Sequence, residues 1–158
     1  MPNRHHDWIA RHAARRPEAT AAVDLASGRS LNYREIDRRI TGLAGHLRDG
    51  CGVGPGARVA MLAQNGTDIL ETQFACFRLG AIFVPLNWRL APAELDAIAA
   101  DCTPAALVHD GEFADLAVGL AERHGIAHRL SRGAADSPYE RAIAAGRPLD
   151  RPHPATPA

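Results

Sequence analysis

Arg78-Leu79-Gly80-Ala81-Ile82-Phe83-Val84-Pro85-Leu86-Asn87-Trp88-Arg89-Leu90 is the stretch whose reading decides the fold. It opens as the end of a helix, which Gly80 stops because a residue without Cβ closes a last turn at little cost. The apolar run 81–86 is short and contains β-branched and aromatic residues, so it reads as a buried strand. Pro85 has no N–H to give to a ladder, and strand pairing on that side stops near it. Asn87, Trp88 and Arg89 then project from the carboxyl end of the strand. An arginine there offers a planar fork of donors to a phosphate, while a plain surface position accounts for it equally well.

Outward from this stretch the pattern is regular. Further apolar strand candidates lie at 58–63, 106–109 and 126–130, and helical stretches at 67–79, 92–101 and 112–124 separate them. Strand and helix alternating with short connections predicts an α/β fold with a mostly parallel sheet flanked by helices. Upstream, a helix is expected over 5–15, with Trp8, Ile9 and His12 on one face and Pro17 stopping it. Segments 20–25 and 30–32 flank Ala26-Ser27-Gly28-Arg29 as a short hairpin. Asn32 with Glu35 forms a capping box ahead of Ile36, Ile40, Leu43 and Leu47 at helical spacing. From Ser131 the pattern weakens, although 139–145 reads as one more short helix. Pro148, Pro152, Pro154 and Pro157 rule out a helix or central strand after it. The expected organisation is a domain over 1–130 followed by a weakly ordered, proline-rich tail over 131–158.

The chain has 158 residues, 46% hydrophobic and 23% charged, enough for one core. Its formal net charge is +0, with acidic and basic residues interleaved, so neither nucleic acid nor an anionic membrane is an expected partner. No apolar run has the length of a signal peptide or a membrane span, and a cytoplasmic location is expected. Cys51, Cys76 and Cys102 are odd in number and sit in or beside apolar segments, which fits reduced core cysteines and not a disulfide framework or zinc site. Every one of the 18 basic residues is arginine.

Several motifs have plainer explanations than a site. Gly50, Gly52, Gly54 and Gly56 follow a helix and lead into a strand, the reverse of a phosphate-cradling loop, so helix termination and a turn with Pro55 explain them. Asn65-Gly66 lies at the carboxyl edge of the sheet, where α/β proteins bind ligands, yet a turn plus a helix cap with Thr67 explains it. His5, His6 and Asp7 are adjacent, point in different directions and lack a further ligand at suitable spacing, so no metal site is expected. No serine stands in a Gly-x-Ser-x-Gly context.

The 78–90 stretch resembles the helix, Gly-Ala, strand, Pro-Leu-Asn-x-Arg-Leu signature of acyl-CoA synthetases in the adenylate-forming superfamily. Ser30-Leu31-Asn32-Tyr33-Arg34-Glu35-Ile36 is similar to that family's Thr/Ser-Tyr-x-Glu-Leu motif, with Asn32 as an extra residue. Gly52-Val53-Gly54-Pro55-Gly56-Ala57-Arg58-Val59-Ala60 is similar to its Gly-Val-x-x-Gly-Asp-x-Val, with Ala57 in place of the usual aspartate. The resemblance covers residues 8–117, with the motifs in order. Asn87 and the Trp88-Arg89-Leu90 continuation favour the acyl-CoA branch over amino-acid-activating relatives.

The resemblance implies a truncated amino-terminal subdomain of an AMP-forming acyl-CoA synthetase. Such enzymes join a carboxylate to AMP, releasing pyrophosphate, and pass the acyl group to the CoA thiol. ATP, magnesium (Mg) and CoA are implied for the full-length family, and none is expected to be bound by this segment alone. No catalytic residue is expected here, because the family's Ser/Thr/Gly-rich loop ending in Pro-Lys-Gly and its carboxy-terminal lysine have no counterpart. The resemblance nominates Arg89 alone, as a contact to the CoA phosphates. An alternative is a non-catalytic CoA- or nucleotide-binding module that docks onto a chain carrying the missing region. Either way, an uncovered sheet edge would favour self-association. An unrelated flavodoxin-like protein would need a phosphate loop after the first parallel strand, and 63–67 is too poor in Ser, Thr and Gly for one.

Overall fold

The structure is a computed structural model that describes residues 7–149. Helix α1 (Trp8–Arg15) is capped by Asp7, whose Oδ1 accepts the Ala10 N–H at 2.9 Å. Strands β1 (Thr20–Val23) and β2 (Ser30–Asn32) form the expected antiparallel hairpin. Asn32 then opens α2 (Tyr33–Cys51) with a reciprocal capping box: its Oδ1 accepts the Glu35 N–H and Glu35 Oε2 accepts its own, both at 2.8 Å. Gly52, left-handed at φ 65°, closes that helix. The glycine run is therefore a helix stop and a turn, as its order implied.

The regular part follows as β3 (Arg58–Leu62), α3 (Thr67–Leu79), β4 (Ile82–Leu86), α4 (Pro92–Cys102), β5 (Ala106–Asp110), a 3-10 turn (Gly111–Phe113), α5 (Ala114–His124), β6 (His128–Arg132) and α6 (Pro138–Ala145). The four strands are all parallel in the order β4-β3-β5-β6. Alternation along them builds three layers. Val59, Met61, Ala106 and Val108 face α1, α2, α3 and α6, while Ala60, Leu62 and Leu107 face α4 and α5. Because both faces are covered, 59–62 of β3 and 106–108 of β5 are continuous apolar runs with no polar alternation. Gly80 ends α3 at φ 67°, and the Ala81 N–H bonds back to the Cys76 carbonyl at 2.9 Å. The chain thus turns straight into β4, which lies at one edge of the sheet with Ile82 51% exposed.

Two expectations need correction. The fourth parallel strand runs two residues later than 126–130. Ile126 belongs to the stop of α5: its N–H bonds to the Ala121 carbonyl at 2.9 Å past left-handed Gly125, and its buried side chain packs with the α4/α5 layer. Order also continues beyond residue 130. Helix α6, capped by Ser137 with Pro138 at its first turn, buries Tyr139 and Ala142 against the α2 side of the core. It lies so close to α2 that a Cβ on Gly42 would collide with the Ile143 carbonyl, and one on Gly45 with that of Arg147. The tail beyond 149 lies outside the described residues. Cys51 and Cys76 are buried and Cys102 half-buried, and all three are free thiols.

Candidate functional site

The carboxyl ends of β3 and β4 frame a cleft of about 330 Å³ on the α3 side of the sheet. Its walls follow from strand periodicity: Met61, Ala63 and Asn65 form one row, Phe83, Pro85 and Asn87 the other, and Ile69 of α3 closes the back. Trp88 and Arg89 form the rim. The loop after β4 is braced by Asn87, whose Oδ1 accepts the Arg89 N–H at 3.1 Å and whose carbonyl accepts the Leu90 N–H at 3.0 Å. Trp88 stacks on Phe113 with ring centroids 6.0 Å apart. The Arg89 guanidinium carbon lies 4.3 Å from the centroid of the Trp88 ring. This is the approach at which the ring's negative face attracts a cation, and it leaves the N–H edge of the fork free for an anion. The arrangement is an apolar pocket with two carboxamides and one oriented, exposed cation at its mouth. It can hold a ligand with an apolar or aromatic part and a phosphate; it contains no nucleophile, general acid or general base.

Other sequence candidates fall elsewhere. His5 and His6 lie outside the described residues. Asp7 caps α1, and its second oxygen accepts from Arg78 Nε at 2.8 Å, so it joins α1 to α3. Among the described residues no group of three or more His, Cys, Asp or Glu side chains is placed to hold a metal ion. Asn65 is not a helix cap: α3 begins at Gly66 with no side-chain bond, and the Thr67 hydroxyl is engaged by Arg29 Nη2. Asn65 instead lines the cleft.

A charged cluster behind α3 was not anticipated from the sequence. Fully buried Glu71 accepts from Arg39 Nε at 2.6 Å, Arg39 Nη2 at 3.1 Å and the Tyr139 hydroxyl at 3.0 Å. Arg39 reaches on to Glu140, with Nη1 to Oε2 at 2.7 Å and Nη2 to Oε1 at 2.6 Å. Asp68 pairs with Arg29 and Arg132, and Arg132 continues to Asp110. Burial pushes the Glu71 carboxyl up, against the pull of Arg39. Glu140 is held below the usual carboxylate range by its bonds to Arg39. A signal was present: Arg39 falls on the Ile36–Ile40–Leu43 stripe of α2, and Glu71 on the face of α3 that carries Phe74 and Ala75. A charge on an apolar stripe needs a buried partner.

The parallel sheet, covered on both faces and with its cleft at the carboxyl strand ends, has the open α/β architecture in which ligands bind at that edge. Residues 9–157 match the model of the AMP-binding enzyme family, and the chain belongs to that family. It is 46% identical over 114 residues to a feruloyl-CoA synthase of Amycolatopsis sp, covering 72% of this chain and 23% of the relative. It is 41% identical over 107 residues to an indoleacetate–CoA ligase of Aromatoleum aromaticum, covering 68% of the chain and 20% of the relative. The chain therefore spans less than a quarter of the length of these relatives. Among solved structures, an anthranilate CoA ligase in complex with anthranoyl-AMP superposes with a TM-score of 0.82 at 23% identity, over 97% of this chain and 30% of that one. A benzoate CoA ligase of Burkholderia xenovorans superposes at 0.80 with 21% identity, over 94% and 30%. These two likenesses establish the fold alone.

Proposed function

We propose that this chain forms the amino-terminal framework of an ATP-dependent acyl-CoA ligase and contributes a surface that receives the nucleotide end of CoA. The observation that carries this reading is the Arg89 guanidinium stacked on Trp88 at the rim of the cleft. Holding the fork flat against an indole reduces the rotamer freedom lost when a phosphate arrives, and Asn65 and Asn87 offer donors and acceptors deeper in the pocket. Family membership and the two CoA-ligase relatives support the chemistry of the whole enzyme. The same relatives make an aromatic carboxylate the first acid class to try with it.

ATP and magnesium are not provided for by the described residues. The amino-terminus of α3, which follows a strand as a phosphate-binding helix would, is covered by Asp68 with Arg29 and Arg132. No lysine is present anywhere in the sequence to meet a triphosphate or a developing acyl-phosphate charge.

Titration calorimetry with CoA tests the reading. The wild-type chain is expected to bind CoA, and Arg89→Ala to weaken binding by about tenfold, the equivalent of one charge-assisted phosphate contact at roughly 1.4 kcal/mol. Dephospho-CoA and 3′-phospho-AMP show which phosphate Arg89 meets. Identical titrations for the wild type and Arg89→Ala remove Arg89 from the site.

A further inference from the structure

Asn65 reaches the cleft on a path that carries the alternation of β3 past its end as far as Gln64 and bends at Asn65 and Gly66. The strand's last residue is Leu62, yet Met61, Ala63 and Asn65 line one wall in the period-2 row of a continuous strand face. Local sequence opposes that path. Asn-Gly is a turn-forming pair, α3 opens at Gly66 without a side-chain cap, and Gln64 and Asn65 are exposed.

Two side chains from the next strands hold it in place. The Gln64 N–H donates to Asp110 Oδ2 at 2.7 Å, and the Gln64 carbonyl accepts from Arg132 Nη2 at 2.7 Å. Arg132 Nη2 also lies 3.0 Å from that same Asp110 oxygen, so one ion pair satisfies both polar groups of the Gln64 backbone. This is what a neighbouring strand would do, carried out by side chains. Asp110 and Arg132 stand opposite each other at the last register position of β5 and β6. Arg132 is braced from behind by Asp68, and its side chain is only 11% exposed. The Gln64 carboxamide is tied as well, donating to Glu112 Oε1 at 2.6 Å. A cross-strand pair that served only to close the β5/β6 end would have no reason to take in the Gln64 peptide. Neither residue lines the cleft.

We propose that Asp110 and Arg132 are positioning residues for the cleft: their ion pair extends the path of β3 through Gln64 and presents Asn65 inside the pocket that Arg89 rims. The geometric part stands apart from the identity of the ligand. Its consequence for CoA rests on the reading of the cleft given above.

The test is amide hydrogen exchange on the full chain, comparing wild type with Arg132→Leu, Arg132→Lys, Asp110→Ala and Asn65→Ala. In wild type the Gln64 amide is expected to exchange slowly for an exposed residue. In Arg132→Leu and Asp110→Ala, peptides covering 63–66 are expected to exchange about tenfold faster while α2 keeps its protection, as a local opening does. Arg132→Lys keeps one charged donor and is expected to fall between them and wild type. Asn65→Ala is expected to leave the protection of 63–66 intact. In parallel CoA titrations, Arg132→Leu, Asp110→Ala and Asn65→Ala are expected to lose affinity by a similar factor. Unchanged protection of 63–66 in Arg132→Leu or Asp110→Ala overturns the proposal, and so does protection lost equally across α2, which would make the pair a general brace. If Arg132→Leu does not fold, Asp110→Ala and Arg132→Lys decide by the same criteria. If the wild type shows no binding of CoA, the CoA reading fails, and the exchange result still decides the positioning role.

Discussion

Glu71 is fully removed from water and lies between Arg39 and the Tyr139 hydroxyl. A carboxylate in that position is tolerated only because its partners replace the lost solvent. Burial next to Glu71 and Asp68 pushes the Tyr139 phenol up, which keeps it a proton donor to the cluster. Replacing Glu71 by Gln keeps the shape but takes from Arg39 one of its two carboxylate partners, leaving Glu140. The expected loss is about 1.5–3 kcal/mol, read as a lower urea midpoint. Glu140→Gln, whose parent side chain is 24% exposed, should cost only about 1 kcal/mol. The two also differ with pH. The Glu140 carboxyl is depressed in the fold, so its contribution is complete above the unfolded-state value of about 4.3 and is lost as pH falls through the folded value. Glu71 is shifted the other way, but it is present in both proteins and drops out of their difference. The gap between wild type and Glu140→Gln should therefore close in acid; a gap that stays constant to low pH would contradict the pairing with Arg39. None of this cluster was read from the sequence, although Arg39 and Glu71 both stand on apolar stripes. What pairs them is helix rotation, which brings residues 32 apart in sequence within hydrogen-bond reach.

Elements followed their local signals wherever one residue type dictates one geometry. Gly80 and Gly52 stop their helices in the left-handed region, and the Asn32–Glu35 box starts α2 where expected. The signals failed where a distant element decides. Helix α6 was expected over 139–145 and is present, but its docking was not legible, because it depends on the absence of side chains on α2. Gly42 lets the α6 backbone approach until an added Cβ would strike the Ile143 carbonyl, Gly45 does the same for the Arg147 carbonyl just after the helix, and Gly146 faces the Gly42 carbonyl in return. In an isolated helix, Gly→Ala is worth about 0.8–1 kcal/mol of stabilisation. Within this contact, overpacking against backbone should outweigh that gain. Gly42→Ala is expected to be net destabilising by about 1–3 kcal/mol, with faster amide exchange over 138–145. Gly50→Ala on the same helix meets only the His46 side chain, at 3.1 Å, and serves as the control. A Gly42→Ala protein more stable than wild type would mean that α6 is not held by this approach.

At the scale of the whole molecule, we propose that CoA contact at the cleft is separate from the ATP chemistry. The parallel strands, the helices flanking the sheet and the exposed Arg89 after β4 were legible because buried parallel strands and their helix stops leave period and glycine signals in the sequence. The hold on the chain beside the cleft was not legible, since the Gln64 backbone is bonded by Asp110 of the neighbouring strand and Arg132 of the strand beyond it. Adenylation makes heavier demands than binding. Two anions must be brought together, and the charge building on the α-phosphate must be met by fixed donors or cations. The described residues offer one exposed arginine at the cleft and no cluster of metal-ligating side chains, and no lysine exists in the sequence. The arginines nearest the amino-terminus of α3 are already neutralised by Asp68, Asp110 and Glu71. Freeing Arg132 would leave Asp110 without its cation, at a cost of several kcal/mol. This 158-residue chain is therefore expected to give no carboxylate-dependent exchange of pyrophosphate into ATP with ferulate, indoleacetate or benzoate, even where it binds CoA. Measured exchange above that of a heat-denatured control, abolished by Arg89→Ala, would show that the cleft handles ATP and would overturn the division proposed here between a CoA-facing framework and chemistry supplied from elsewhere.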